Sequence, residues 1–484
     1  MRSLKTPPRP LSGFEIVVII HTGVFLVGTT WAFGGNTAAV RPPLALWGSL
    51  GALITVAAIV GDKRVTQISL RPLKLLWPLA LFNALVLLGA LTPLLREIAT
   101  SAGSFLTTVP VSPWRPASAE PDLARRALWL FDAMYLACFN LILVIRHRRA
   151  LRGLLLLAGG NALALSIFGT IQKLLGFKGL YFGLYPWPND SFFASFFYHN
   201  HWGAFIVLMS AVALALVRHY GERPDGRDFF HTPAFAGMVA VLLFAITVPL
   251  SGSRSCFLLL AVLLGGAFLA WTKRLVRQRR SFGESVGPPL LGAGIAILLA
   301  IAGIWYLAGE VVISRMAKTE EQVAVMRQRG DIGGRNILYE DTLRMARDRP
   351  WFGWGMASYP HVFWFYNTQE PNPQDHLPVF YHDAHSDWLQ SLAEHGLVGS
   401  ALLALCALVP LSAVPRTDLR SPIVRYLFAG CGLLLLYAWI EFPFGNVAVV
   451  LSWWFCFFIA VRYAQLGSKF HRGVVESAAP APTP

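Results

Sequence analysis

The feature that most constrains this chain is a series of apolar runs of about 17 to 22 residues along nearly its whole length. Each run is long enough to cross a hydrocarbon layer of about 30 Å as a helix. Only 14% of the residues are charged, against about 25% in an ordinary soluble domain. These two properties exclude a soluble fold and predict an all-α, polytopic membrane protein.

Apolar runs bounded by charged residues, proline or glycine predict about twelve transmembrane helices. They lie at 14–34, 42–60, 75–93, 127–145, 151–174, 201–217, 234–250, 254–272, 287–309, 396–414, 423–441 and 444–462. The first run follows a basic N-terminus without a convincing cleavage site, so we interpret it as an uncleaved span.

One large polar segment divides these helices into two groups. Helices one to nine fall in 1–309, an extracytoplasmic loop domain is expected at 310–395, and helices ten to twelve fall in 396–464. The remaining residues, 465–484, are predicted to form a disordered cytoplasmic tail. A second outer segment, 94–126, is rich in proline and serine.

The formal net charge of +15 is distributed unevenly along the chain. Basic residues cluster in alternate connecting segments, notably 146–150 and 273–286, while the short segments between them are almost free of such residues. The positive-inside rule therefore predicts that both termini are cytoplasmic and that 310–395 lies outside the membrane. Topology accounts for the charge, so no nucleic-acid partner is expected. All five cysteines lie in or beside apolar runs, which excludes a disulfide framework in the polar segments.

The large outer segment is predicted to have folded structure of its own. A helical pattern occupies 335–349 and is stopped by Pro350. An irregular aromatic stretch follows, and a second short helix is expected over about 386–395, where Gly396 ends it.

Two arginines on the outer side are candidate anion-binding residues. Arg254 lies in Ser-Gly-Ser-Arg-Ser at the outer end of a span, and Arg335 lies at the start of the predicted loop helix. A guanidinium stays charged in a poor dielectric and binds phosphate oxygens through two parallel hydrogen bonds. An arginine at a helix N-terminus gains nothing from the helix dipole, which favours a functional reason for Arg335. The alternative is that both are ordinary interfacial anchors.

Histidines are concentrated in two outer motifs, YHNHWG at the start of a span and YHDAHSDW before the second loop helix. His385 is predicted to share a helix face with Trp388 and Leu389, whereas Glu394 lies on the opposite side of that helix and cannot orient His385 directly. A packing role for His385 is the alternative. The motifs lack an HExxH or CxxC companion, so we expect neither a metal nor another cofactor.

Four ionisable residues, His21, Asp132, Lys173 and Glu441, lie singly within the predicted spans. Charges inside a membrane are costly and are functional candidates for that reason. Single residues near span ends also reach the interface for structural reasons, and we favour that interpretation for each of the four.

The stretch GGRNILYEDTLRMARDRPWFGWG followed by AHSDWLQSLAEHGLVG resembles the O-antigen ligase and O-antigen polymerase superfamily of bacterial membrane glycosyltransferases. Members have an arginine, a helix, a P-x-x-G-x-G turn, then a His-Asn helix that ends in E-x-G-x-x-G. Arg335, 350–355, His385 and 394–399 occupy those places. The resemblance extends over roughly 197–400 and includes Asn200 and Arg254, but Ser386 replaces the usual asparagine.

The resemblance implies transfer of a glycan from a polyprenyl-diphosphate donor, such as undecaprenyl diphosphate, to a sugar hydroxyl at the periplasmic face of the bacterial inner membrane. The implied diphosphate ligands are Arg254 and Arg335, the implied catalytic residue is His385, and Asn200, His201, His382 and Glu394 are supporting residues. The acceptor is either the lipopolysaccharide core or another lipid-linked repeat, and the sequence does not distinguish ligase from polymerase. A transporter, for example of inorganic carbon, is the alternative from a different class.

Overall fold

The computed structural model describes residues 10–61, 71–100, 103–221, 231–329, 334–369, 371 and 379–478. Fourteen helices lie in these ranges: α1 (Gly13–Trp31), α2 (Arg41–Gly61), α3 (Trp77–Ala90), α4 (Pro121–Leu143), α5 (Arg148–Leu174), α6 (His199–Tyr220), α7 (Pro233–Ser251), α8 (Arg254–Ser281), α9 (Gly287–Arg329), α10 (Gly334–Asp348), α11 (Tyr359–Val362), α12 (Asp387–Ser412), α13 (Pro422–Tyr437) and α14 (Val447–Ala478). Two strands, β1 (Leu95–Thr100) and β2 (Gly103–Thr108), form an antiparallel hairpin.

Eleven helices in the described ranges are long and apolar enough to cross a membrane, and α13 is a shorter apolar helix of 16 residues. Each of the twelve predicted spans coincides with one of these helices. The prediction of an all-α polytopic membrane protein is therefore confirmed. Because α13 ends at Tyr437, Glu441 lies in the turn before α14 instead of inside a span.

Helices α6 and α14 form the centre of the bundle. In the most apolar 18-residue window of each, 89% of the residues are buried. Helix α6 packs against α5, α7, α8, α13 and α14. The corresponding window of α9 has no buried residue, and α9 packs mainly against α7 at the periphery.

The two outer polar segments pack together into one cap over the bundle. Its hydrophobic cluster combines Leu94 and Ala117 from the first segment with Leu338, Met345 and Trp354 from the second. This shared cluster joins the described parts of both segments, neither of which has a large core of its own.

Arg349 fastens the two outer segments to each other. Its guanidinium donates to the backbone carbonyls of Val111, Ser112 and Arg115 at 3.0 to 3.3 Å. The hairpin β1–β2 was not predicted, because a strand pair with six residues in each strand has little sequence signal and depends on packing for stability.

Helices α8, α9 and α14 end well after their predicted spans, and α8 continues to Ser281 instead of ending at 272. Helix α9 continues to Arg329, past the predicted boundary at 309, because 310–329 contain neither proline nor glycine. Helix α14 continues to Ala478 and so enters the segment predicted to be a disordered tail, since the first proline after Pro443 is Pro480. The last predicted tail residues, 479–484, lie outside the described residues.

The end of the bundle opposite the cap carries a second set of polar contacts. Arg148 pairs with Asp418 at 3.2 Å and donates to the carbonyl of Tyr463 at 2.9 Å. The buried carboxylate of Glu15 lies 2.9 Å from His147 Nδ1 and accepts the backbone N–H of Arg146 at 2.8 Å. The basic segment 146–150 is thus bound to the ends of α1 and α14 that lie farthest from the cap.

Candidate functional site

His385 lies just outside the helix that was predicted to carry it. Helix α12 begins at Asp387, and Ser386 is its N-cap, accepting the N–H of Leu389 at 3.4 Å. His385 has a φ of +50°, a left-handed conformation that is uncommon for a residue other than glycine. Tyr339 holds it there by donating its hydroxyl to the His385 carbonyl at 3.0 Å.

The prediction that His385 shares a helix face with Trp388 and Leu389 is therefore wrong. The left-handed backbone conformation of His385 turns its side chain away from the helical repeat. The expectation that Ser386 preserves the helix start is confirmed. Backbone strain of this kind persists only where the surroundings impose it, and such residues are frequent at functional sites.

Glu441 is the centre of the polar cluster beneath the cap. Its side chain is 2% exposed, and Arg335 Nη2 donates to its Oε1 at 2.8 Å. The Tyr198 hydroxyl donates to the same oxygen at 3.4 Å, and His385 Nδ1 lies 3.8 Å from it, which is an ion-pair distance longer than a hydrogen bond. One buried carboxylate thus gathers Arg335, His385 and Tyr198.

The charge on Glu441 is set by its neighbours. Burial raises its pKa, but His385 and the Arg335 guanidinium lower it by more, so the pKa of Glu441 lies below its usual value. Glu441 is consequently ionised at neutral pH and acts as a fixed negative charge behind Arg335.

Asn200 extends the cluster to the turn between α7 and α8. Its amide donates to the Tyr198 hydroxyl at 2.7 Å, and its Oδ1 accepts the Ser253 hydroxyl at 2.6 Å. Ser253 immediately precedes Arg254, the exposed first residue of α8. The turn that carries Arg254 is therefore linked through two hydrogen bonds to Tyr198, and through Tyr198 to Glu441.

His201, which was predicted to support the site, lies beside the Glu441 turn. Its Nε2 is 3.2 Å from the Phe442 carbonyl oxygen, and its ring is edge-on to the Phe442 ring. His385 approaches the same ring edge-on, with 4.8 Å between centroids. Phe442 therefore separates the two imidazoles and fixes the orientation of both.

Glu394 has a structural position, away from His385. Its two carboxylate oxygens accept the N–H groups of Ala357 and Tyr359 at 3.0 and 3.1 Å, which fixes the chain after the Pro-Trp-Phe-Gly-Trp-Gly turn. The turn itself lies so close to α12 that a Cβ at Gly353 would overlap the backbone of Glu394. Gly353 in this turn and Gly396 in α12 thus permit the two backbone segments to touch.

Gly396 divides α12 as the sequence predicted. Its φ of +63° and ψ of −169° interrupt the helix, so the short loop helix ends there and the transmembrane part begins. His382, the remaining predicted supporting residue, is exposed and packs edge-on against Phe380 at 4.8 Å.

Sequence analysis missed Glu441 and Tyr198 as members of the site. Glu441 was treated as an isolated ionisable residue with a structural role, because no pattern links it to Arg335, 106 positions away in the sequence. The sequence pattern that could have drawn attention to Glu441 is the run Glu-Phe-Pro-Phe-Gly-Asn, in which proline and glycine follow an acidic residue between two apolar runs. That composition indicates an ordered turn at the end of a span.

In the described ranges, no group of three His, Cys, Asp or Glu side chains is arranged to hold a metal ion.

The fold and the polar cluster together define the class of protein. It is a multi-pass, all-α membrane protein with an arginine–histidine–carboxylate site under a cap at one end of the bundle.

Comparison with known families matches a segment that carries part of this site. Residues 239–404 match the family model described as O-antigen ligase. The match supports the resemblance to the O-antigen ligase and polymerase superfamily over this segment. No curated protein matches the chain. The matched segment contains Arg254, Arg335 and His385, whereas Tyr198, Asn200 and Glu441 lie outside it.

Proposed function

We propose that the protein transfers a glycan from a polyprenyl-diphosphate donor to a sugar hydroxyl, with Arg335 and Arg254 binding the diphosphate. The observation that carries this proposal is that Arg335 is both anchored and exposed. Its guanidinium is anchored on a buried carboxylate, yet its side chain remains 50% exposed beside His385. An arginine fixed in this way is suited to receive an anion from outside the protein.

The chemistry of the arginine supports this role. Arg335 uses Nη1 for the Ile440 carbonyl at 3.1 Å and Nη2 for Glu441, and a guanidinium has five N–H donors in total. Departure of the lipid diphosphate concentrates negative charge in the transition state. A pre-oriented guanidinium stabilises that charge more than it stabilises the ground state, which accelerates the reaction.

We assign Arg254 to the same diphosphate because its turn is linked by hydrogen bonds to the Glu441 cluster. His385 is assigned to the reacting groups, where its imidazole orients the attacking hydroxyl. No step in this scheme requires a metal, since the arginines supply the positive charge.

Glu441→Gln is expected to reduce transfer by about 10- to 100-fold, because a neutral amide holds the Arg335 guanidinium less firmly and small displacements of a binding group are costly. Glu441 acts here as a positioning residue. Initial rates with a defined lipid-diphosphate donor measure the effect, and Glu441→Asp should restore part of the rate. Glu340→Gln, at an exposed site of α10, is the matched control. Wild-type transfer by Glu441→Gln would contradict this role.

We place the protein in the bacterial inner membrane with both termini in the cytoplasm and the cap in the periplasm. The supporting observation is the division of charge between the ends of the bundle. The cap and its cluster lie at one end, and the basic segment 146–150 lies at the other, which suits the positive-inside rule.

A fluorescent protein that matures only in the cytoplasm is expected to be dark when fused after Asn367, because the cap lies in the periplasm. The same reporter fused after Ser281, at the basic end of α8, should fluoresce. Cell fluorescence at equal fusion levels is the measurement. Fluorescence of the Asn367 fusion would reverse the proposed orientation.

The acceptor distinguishes the two enzyme activities. A ligase uses the lipopolysaccharide core, and a polymerase uses another lipid-linked repeat; both fit the same donor site. Glycan analysis of a deletion strain separates them, since loss of ligation leaves full-length lipid-linked polymer, whereas loss of polymerisation leaves single repeats. Solute uptake by proteoliposomes with unaltered cellular glycans would instead favour the transporter alternative.

A further inference from the structure

A second carboxylate lies close enough to His385 for the two side chains to interact electrostatically. Asp383 is two residues before His385, on the segment that leads into α12. Its Oδ1 is 3.5 Å from the position that a Cβ on Gly445 would take. Gly445 ends the turn that begins with Glu441 and Phe442, so the Asp383 carboxylate lies against the same short turn that carries Glu441.

The two carboxylates differ in how far their hydrogen-bonding capacity is used. Glu441 is almost fully buried and is occupied by Arg335 and Tyr198. Asp383 is only half-buried, and within the described part of the chain its carboxylate accepts no hydrogen bond and forms no ion pair. A carboxylate in such a partly enclosed position ordinarily has a partner. Asp383 is therefore able to accept hydrogen bonds from a ligand, whereas Glu441, with a side chain that is 2% exposed, is far less accessible to one.

The surroundings of Asp383 suit a group that accepts a proton. Burial raises the pKa of Asp383 above its usual value, and the repulsion from Glu441 acts in the same direction. The charges of His385, His382 and Arg41 oppose this rise without cancelling it. A carboxylate with a raised pKa holds a proton more readily while remaining available as a base near neutral pH.

Arg41 is the arginine whose charge acts on Asp383. It is the first residue of α2, and its Nη2 donates to Asn36 Oδ1 at 3.0 Å. The side chain is exposed at the cap end of the bundle. Asp383 is thus near enough to an arginine of α2 and to the histidine of the candidate site for both charges to lower its pKa.

We propose that Asp383 binds the acceptor sugar and takes the proton from its attacking hydroxyl. The inference rests on the proposed glycan transfer. The acceptor oxygen forms a bond to the anomeric carbon of the donor glycan as the bond from that carbon to the diphosphate oxygen breaks. The lipid diphosphate leaves with the electron pair, Asp383 receives the hydroxyl proton, and the proton then passes to solvent.

This assignment divides the site into two halves. Arg335, anchored on Glu441, serves the leaving group, Asp383 serves the nucleophile, and His385 orients the attacking hydroxyl. A sugar hydroxyl donates its hydrogen bond to an atom with unused lone pairs. An ionised carboxylate is the strongest hydrogen-bond acceptor among the side chains.

The test compares purified Asp383→Asn, Asp383→Glu and Asp348→Asn in transfer from a defined lipid-diphosphate donor to a varied concentration of acceptor glycan. Asparagine preserves the size of the side chain but cannot take the proton. We expect kcat/KM for the acceptor to fall by about 10² to 10⁴ in Asp383→Asn. Affinity for the donor should stay within about twofold, and Asp383→Glu should recover part of the rate. Asp348→Asn, at an exposed aspartate of the cap, should behave as wild type.

The pH profile separates a base from a purely structural aspartate. The carboxylate must be ionised to accept the proton, so wild-type activity should be lost as the pH falls through the raised pKa of Asp383. That acid limb should be absent from the profile of Asp383→Asn. If Asp383→Asn keeps the acid limb, or if its kcat/KM equals that of the wild type, the inference about Asp383 is overturned but the proposed function is not. Absence of transfer by the wild type in the same assay overturns the proposed function and the inference together.

Discussion

Replacing Arg335 with lysine is expected to reduce glycan transfer by about 10- to 100-fold although the net charge is unchanged. An ammonium can still pair with Glu441, but it lacks the planar fork that binds the carbonyl, the carboxylate and a phosphate oxygen at once. Alanine at the same position should cost about 10² to 10³ in kcat, the usual loss when a charge-stabilising donor is removed. Initial rates of the purified variants with a lipid-diphosphate donor measure both effects.

The matched control is Arg347→Lys, at an exposed position of the same helix α10. This variant should transfer glycan as the wild type does. Arg254→Lys should be impaired like Arg335→Lys if both residues bind one diphosphate. Full transfer by both lysine variants at normal protein levels would show that the two arginines are ordinary anchors.

His385→Ala is expected to lower transfer by about 10² to 10⁴ per folded molecule while donor binding is retained. The imidazole Nδ1 lies 3.8 Å from the Glu441 carboxylate, and its removal leaves the attacking hydroxyl without its orienting group. The left-handed backbone at this position is not favourable to alanine either, so the quantity of folded protein must be measured with the rate. Size-exclusion chromatography of the purified variant gives that quantity.

Two other histidines provide the comparison. His382 is exposed, and its replacement with alanine should have a much smaller effect on transfer. His395 is buried against Phe82, with 5.4 Å between ring centroids, so His395→Ala should lower the protein level with near-normal activity per molecule. If His385→Ala behaved in the same way as His395→Ala, His385 would be a packing residue.

The sequence was informative about the helices because the length of an apolar run is a local property. All twelve predicted spans coincide with helices, and the stop at Pro350 and the break at Gly396 follow from the backbone limits of proline and from a glycine with positive φ. The lengths of α9 and α14 were underestimated, because the predicted ends followed loss of hydrophobicity, and a helix persists through polar residues until a breaker occurs.

The site was only partly predictable for a different reason. Arg254, Arg335 and His385 lie in recognisable motifs, whereas Glu441, the common partner of Arg335 and His385, is reached through tertiary contacts. Nothing local to Glu441 indicates that Arg335 approaches within 2.8 Å, and nothing in YHDAHSDW specifies the left-handed turn at His385. These features depend on the cap packing over the 441–446 turn.

The position of Glu441 has a consequence for exchanging parts between relatives. The arginine that we assign to the diphosphate comes from the matched segment 239–404, but the carboxylate that holds it comes from the turn between α13 and α14. A chimaera that received only this segment would join a foreign arginine to the host's own anchor. Function in such hybrids would then depend on how well the transferred arginine fits the host's carboxylate. The segment 239–404 should therefore be exchanged together with the α13–α14 turn.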